Sequence, residues 1–300
     1  MALTKGATKN ILLTGSTGFL GSNMLRALLH RGYDVIVTTR DVTDFRRIKD
    51  ILPRVVSYNI DKVQAEQIFN DHDVDVIVHC ATNYGRKEVD NISLLKANLI
   101  LPLTLLQLGV AHKVKTFVNT DTVLDKRVSY YSLSKYQFKE WLKVYSNEIA
   151  SMNVCLEHFY GPHDDNSKFV TFIIQSLLKG VEKIDLTAGA QKRDFIYIDD
   201  VVDAFLRIIE NSGTLDNGFY HYEIGSGRTI SIRDFVLLAK KFTNNSTTLL
   251  NFGALPYRQN EVMESEVDIS EIRKLGWQPR MSLADGLKKT IHTELEEGVI

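Results

Sequence analysis

The chain has 300 residues, with 36 Lys and Arg against 37 Asp and Glu, for a formal net charge of −1. No charged field argues for a nucleic-acid or anionic-membrane partner, no apolar run reaches about 18 residues, and residues 1–6 lack the apolar core of a signal peptide. Only Cys80 and Cys155 occur, both in apolar strand-like segments. They read as reduced core thiols of a cytoplasmic protein, and no Cys/His spacing suggests a metal site. Residues 10–14 read as a short buried parallel strand. The turn Gly15-Ser-Thr-Gly18-Phe-Leu-Gly21 follows, then a helical apolar pattern from Phe19, then a second strand over residues 33–38. Such a βαβ unit lets backbone approach a pyrophosphate held at the helix N-terminus. Spacing is G-x-x-G-x-x-G, and a tight structural turn is the competing reading.

The second strand ends at Thr38-Thr39-Arg40, where an acid would hydrogen-bond the adenosine ribose of NAD. A hydroxyl plus a guanidinium suits a 2′-phosphate, with Arg46 and Arg47 close behind, so NADP(H) is favoured over NAD(H). The alternative leaves Arg40 a surface charge and gives the ribose to Asp41. Further strands are expected at residues 74–79, 116–119 and 154–157, with a helix over 94–108 interrupted by Pro102. Repeated βα units imply a doubly wound parallel sheet whose ligand lies at the carboxyl ends of the strands. Residues 79–82, Thr120 and residues 158–162 fall at such ends and should gather around one crevice.

Thr120 precedes Tyr131 by eleven residues, and Lys135 follows Tyr131 at i+4. An ammonium one helical turn from a phenol favours the phenolate, so the tyrosine pKa should fall towards neutrality. Such a phenol exchanges a proton with a carbonyl or alcohol oxygen, and a strand-end hydroxyl hydrogen-bonds the same oxygen. Tyr130 would place Ser134 at i+4 and is less suited. Phe138, Trp141, Leu142 and Tyr145 make a core-facing stripe. Asp194, Asp199 and Asp200 read as caps for a helix over residues 201–210.

These motifs, with Tyr160-Gly-Pro162, residues 193–199, residues 225–227 and residues 275–279, resemble the extended short-chain dehydrogenase/reductases, the nucleotide-sugar epimerases, dehydratases and reductases. Residues 119–121, 156–158 and 193–195 resemble most the CDP-abequose/CDP-paratose synthase type, which reduces a 4-keto sugar nucleotide. The resemblance implies a Rossmann domain over 1–160, with 193–226 returning to it. A smaller C-terminal substrate-binding lobe is implied over 161–192 and 227–300. It implies Tyr131 as proton donor, Lys135 as its tuning group and ribose ligand, and Thr120 as partner of the reacting oxygen. Cofactor contacts are implied for Gly15, Thr17, Gly18, Phe19, Leu20, Gly21, Thr39, Arg40, Asn59, Ile60, Cys80, Ala81, Thr82, Asn98, Tyr131, Lys135 and His158. Substrate contacts are implied for Thr82, Tyr84, Thr120, Asp121, His158, Lys168, Phe169, Arg193 and Arg258, the two arginines gripping a diphosphate. His158 stands where many relatives have asparagine, and a structural histidine is an equal reading. Homodimers are usual in the family, though the surface pattern here does not establish one.

Departures from the family choose among reactions. Dehydratases follow Thr-Asp with a glutamate base, and here Thr122 stands in that place. Neither cysteine lies where C3/C5-epimerising reductases carry one. Carbonyl reduction at C4 is then the expected activity, with an NAD-dependent 4-epimerase or a catalytically silent nucleotide-binding regulator as alternatives. The short segment 123–129 indicates a trimmed active-site loop.

Overall fold

The computed structural model describes residues 9–85, 90–258 and 261–296, so residues 1–6, weighed above for signal character, lie outside it. In chain order the strands are β1 (Asn10–Thr14), β2 (Asp34–Thr39), β3 (Val56–Asn59), β4 (Val76–His79), β5 (Thr116–Thr122), β6 (Ala150–Leu156), β7 (His158–Tyr160), β8 (Lys183–Leu186), β9 (Lys192–Tyr197), β10 (Gly218–Ile224), β11 (Thr229–Ser231) and β12 (Leu249–Phe252). The helices are α1 (Phe19–His30), α2 (Glu66–Asp71), α3 (Asn91–Leu95), α4 (Leu101–Ala111), α5 (Tyr130–Val144), α6 (Phe169–Leu178), α7 (Ile198–Ser212), α8 (Ile232–Phe242), α9 (Ser270–Lys274) and α10 (Leu283–Glu296). The chain divides into two compact units. One holds Met1–Leu156, Val202–Glu223 and Lys274–Gly276; the other holds Glu157–Val201, Ile224–Arg273 and Trp277–Ile300.

In the first unit seven strands form one sheet in the order β10-β6-β5-β4-β1-β2-β3, a doubly wound Rossmann arrangement. Every pairing from β6 across to β3 is parallel. Ile11, Leu12 and Leu13 are fully buried, as a central parallel strand requires, each contributing about 1.5–3 kcal/mol by leaving water. The winding reverses between β1 and β4, which places a ligand-binding crevice beyond Thr14 and His79.

The helix expected over residues 94–108 is three pieces, with a π-helical turn (Lys96–Ile100) between α3 and α4. Pro102 has no N–H to give the carbonyl of Asn98, and the wider turn accommodates that missing bond. Residues 91–111 are, among the described residues, long and apolar enough to cross a membrane. Here Leu105 and Leu106 pack with Phe117 and Phe138 in the core. On α5, Phe138 and Leu142 are buried but Trp141 is 41% exposed, so the apolar stripe is narrower than expected.

The second unit carries a three-stranded sheet, β11-β9-β7, and the pair β12-β8. Phe195 stacks on Phe235 at 4.2 Å, and Phe235 also meets Phe169. Residues 193–201, assigned by sequence to the dinucleotide-binding part, sit in this unit because β9 pairs with β7 and β11. Helix α7 starts at Ile198, not Val201, so Asp199 and Asp200 lie within its first turn rather than before it. Asp194 instead accepts the Ser226 and Gly227 amides at 2.7 and 2.8 Å. Asp200 accepts those of Arg280 and Met281, and Asp199 pairs with Lys289.

Candidate active site

The glycine turn leaves β1 where the sheet reverses. Gly15 has φ of +69°, and a Cβ there would lie 2.5 Å from the Ala81 backbone nitrogen. A Cβ on Gly21 would collide with the Gly15 carbonyl oxygen. Gly18 donates to that same oxygen at 3.0 Å and caps α1 without a side chain. Phe19 and Leu20 bury their side chains, leaving backbone for a ligand. Side-chain-free backbone at a helix N-terminus fits a pyrophosphate. Thr14 ties the neighbouring strand end: its Oγ1 is 2.9 Å from His79 Nδ1 and accepts the Ala81 amide, while its carbonyl accepts the Cys80 amide. Burial drives the His79 pKa well below 6.5, with Lys135 adding to the effect, so this ring is a neutral positioning group.

At the end of β2, Thr39 is buried and its hydroxyl donates to the Tyr58 carbonyl at 3.4 Å. Arg40 sits in an exposed ion pair, its Nε donating to Asp61 at 3.1 Å. Asp41 accepts from Asn59 Nδ2 at 2.7 Å and pairs with Lys62. Ile60 donates its amide to the Thr39 carbonyl. Arg47 reaches the glycine turn, donating to the Thr17 carbonyl at 3.4 Å.

Beyond β4, Asn98 is buried and its amide is spent inside the protein. It accepts from Asn83 N at 2.7 Å and from Thr82 Oγ1, and donates to the Asn83 carbonyl and to Ser134 Oγ. Its side-chain amide thus ties the Thr82–Asn83 segment to α5. Ser134, which sequence reading passed over, donates in turn to the Tyr131 carbonyl at 2.7 Å. A capping box made by Ser129 and Ser132 fixes the start of α5, so Tyr131 lies in its first turn.

Tyr131 is half-buried with its ring 5.1 Å from that of Tyr84. Lys135 is fully buried and donates to the Thr120 carbonyl at 2.8 Å, while Thr120 Oγ1 contacts Cys80 Sγ at 3.5 Å. Lys135 thus meets Thr120 and Tyr131 meets Thr122 on the same strand, but the electrostatics differ from those expected. Burial raises the Tyr131 pKa above its ordinary 10.0, the charges of Tyr84 and Asp121 add to that, and a hydrogen bond with Thr122 opposes it. The expected depression by Lys135 is not found, because the ammonium is turned to the strand carbonyl. Burial lowers the Lys135 pKa from 10.5, and Asp121 works against that. Tyr131 is thus a phenol throughout the neutral range and suited to giving a proton.

Asp121, expected to meet substrate, is buried and faces β6: it accepts its neighbour's amide from Thr122 and Asn153 Nδ2, both at 2.8 Å. Asn153 also accepts from Asn119 Nδ2 and lies 3.4 Å from His221 Nδ1. Cys155 is pushed up by burial and by Asp121; Cys80 is pushed up to about 11, so both thiols are protonated at neutral pH. Among the described residues no group of three or more His, Cys, Asp or Glu could hold a metal.

In the second unit His158 Nδ1 lies 2.8 Å from Glu157 Oε1. Arg193 is buried, donating to the Lys192 carbonyl and pairing with Glu261 at 2.5 Å. Arg258 is exposed, and its carbonyl accepts the Glu261 amide. Lys168 precedes α6 with Nζ 5.9 Å from the Phe159 ring centroid, and Phe169 packs on Phe235.

A glycine turn at the reversal of a doubly wound sheet, with a serine-capped Tyr and a buried Lys one turn on, defines an NAD(P)-dependent enzyme of the extended short-chain dehydrogenase/reductase type. The chain belongs to the NAD dependent epimerase/dehydratase family, whose model matches residues 11–225. It is 36% identical over 292 residues to a CDP-abequose synthase of Salmonella muenchen, covering 94% of this chain and 97% of that one. A CDP-abequose synthase of Salmonella typhimurium is 33% identical over 290 residues, with the same coverage. Among solved structures, a UDP-glucose 4-epimerase of Thermotoga maritima with UDP-glucose superposes with a TM-score of 0.83 at 25% identity, covering 97% of this chain and 100% of that one. It is a nucleotide-sugar modifying enzyme.

Proposed function

We propose that the protein reduces the C4 keto group of a CDP-linked deoxysugar with NADPH, as the abequose/paratose synthase type does. The observation that carries this reading is a Tyr131 kept protonated by burial, with the Thr122 hydroxyl as its partner where a dehydratase needs a carboxylate base. When bound, the nicotinamide cofactor supplies the hydride that goes to the carbonyl carbon. Tyr131 gives its proton to the carbonyl oxygen, Thr120 hydrogen-bonds that oxygen, and Lys135, held on the Thr120 carbonyl, fixes that strand end and would hold the nicotinamide ribose. Arg193 and Arg258 hold the diphosphate of the substrate. The test is to mix the protein with NADPH and a CDP-4-keto-6-deoxysugar and follow the near-ultraviolet absorbance of the reduced cofactor. Stoichiometric consumption supports reduction; sugar interconversion without consumption supports the 4-epimerase reading, which the likeness to the Thermotoga maritima epimerase favours.

Preference for NADPH rests on Arg40, and on Arg47 beside the glycine turn. Replacing Arg40 by Asp, or Arg47 by Ala, should weaken NADPH binding about ten- to hundred-fold, through loss of a charge-assisted contact worth about 1.5–3 kcal/mol, and spare NADH. Calorimetric titration with both cofactors checks this; equal affinities before and after would remove the 2′-phosphate argument.

The pKa directions fix a pH profile. A donor whose pKa is raised stays protonated as pH climbs past 10, so the alkaline fall of kcat belongs to Lys135, below 10.5. The Asp121 charge favours the ammonium, so Asp121→Asn should move that limb to lower pH. A limb that stays in place would show that Asp121 is not its counter-charge.

A further inference from the structure

We infer that Glu157 and His158 form a substrate-reading pair, in which Glu157 fixes the imidazole so that His158 Nε2 accepts a hydrogen bond from a hydroxyl of the nucleotide-linked sugar. The inference rests on the nucleotide-sugar reading above and adds Glu157 as a positioning residue. Successive side chains of an extended strand point to opposite faces. Between β6 and β7 the chain instead folds into a three-residue turn, with the Phe159 amide donating to the Glu157 carbonyl at 2.8 Å. That turn brings Glu157 Oε1 to 2.8 Å from His158 Nδ1. The carboxylate is nearly sealed, its side chain 2% exposed against 39% for His158, and its other oxygen accepts from Ser265 Oγ at 3.0 Å.

A carboxylate only accepts, so Nδ1 carries the hydrogen, and in the tautomer so fixed Nε2 is the acceptor. The ring rests on the edge of Phe195, 5.6 Å away, which restricts its swing. Packing alone does not account for Glu157. Buried Asp194 lies near enough that the Glu157 charge adds to the burial that raises its pKa. Two neighbouring buried carboxylates cost more than one carboxylate and an apolar residue of the same volume. The carboxylate repays that cost by setting the tautomer and direction of one half-exposed ring. A lone-pair acceptor suits a hydroxyl and opposes phosphate oxygens, which the two arginines match better.

The test uses CDP-glucose and CDP as calorimetric probes on the full-length protein. His158→Phe and Glu157→Leu should each weaken CDP-glucose about ten-fold while CDP binds within about two-fold of wild type, the loss of one hydrogen bond to the sugar. Glu157→Gln should bind CDP-glucose like wild type, because its amide oxygen still accepts from Nδ1. Retained CDP affinity reports an intact fold, and if Glu157→Leu does not fold, the other two variants decide. Unchanged CDP-glucose affinity in His158→Phe overturns the inference. So does an equal loss for CDP and CDP-glucose, which would assign the pair to ribose or phosphate. A Glu157→Gln variant as weak as His158→Phe overturns the positioning role. A wild-type protein that binds CDP but not CDP-glucose removes the sugar contact and leaves the nucleotide reading standing; one that binds neither removes both.

Discussion

Replacing Tyr131 by Phe is expected to lower kcat by about 10²–10⁴, the span attributed to a positioned general acid, or about 2.7–5.4 kcal/mol of barrier. The change removes one oxygen and keeps the ring that rests 5.1 Å from Tyr84. The capping box of α5 and the Ser134 contact to the Tyr131 carbonyl involve no phenol oxygen, so the helix start is preserved. Thermal stability and cofactor affinity should therefore stay close to wild type while turnover falls, and rapid-mixing single-turnover rates should fall as far as kcat. Other protons lie close by, on the Cys80 and Cys155 thiols, but burial holds both thiols protonated and neither is tuned as an acid for neutral pH. A Phe variant within ten-fold of wild type would show that the proton comes from elsewhere, with water the first candidate. An expected secondary sign is that the alkaline limb of the residual activity persists, because Lys135 remains.

Much of this site was legible because its determinants are local. Three glycines three residues apart have one steric reason each, and a Tyr with Lys at i+4 needs only a helix. What sequence could not carry is direction across long separations. Whether Lys135 faces the phenol or the strand depends on how α5 lies on β5, and in the structure the Thr120 carbonyl takes the ammonium. Asp121 reads as a ligand until Asn153, thirty-two residues later, draws its carboxylate to β6. Asn98 carries no local sign of its partners, and only the fold shows its amide donating to Asn83 and Ser134. Asp194, Asp199 and Asp200 read as caps because capping is the local use of Asp; Asp194 and Asp200 accept backbone amides of distant turns, and Asp199 pairs with Lys289. Pro102 signalled an interruption, but the π turn that absorbs it has no local signature. Glu157 lies in the 156–158 segment that carries the resemblance, yet sequence assigned it no role of its own, because only its burial makes it costly.

Gly15→Ala is the second large effect and separates steric fit from mere backbone freedom. The new methyl would stand 2.5 Å from the Ala81 nitrogen and 2.7 Å from the Cys80 carbonyl carbon, backbone atoms at the end of β4 that cannot rotate away. At φ of +69° the side chain also costs about 1–2 kcal/mol of backbone strain, and overpacking adds about 1–3. Gly32 supplies the control, with φ of +81° and nothing within 4 Å of its Cβ position. Gly32→Ala should cost only the strain, and dinucleotide binding should remain as in wild type. Gly15→Ala should lose about 2–5 kcal/mol in denaturant unfolding and weaken dinucleotide binding well over ten-fold, because relieving the clash parts β1 from β4 where the turn begins. The comparison is decided by the difference between the two variants, not by either alone. Equal losses of stability with unchanged cofactor affinity in both would mean that close approach of the turn to β4 plays no part in holding the dinucleotide.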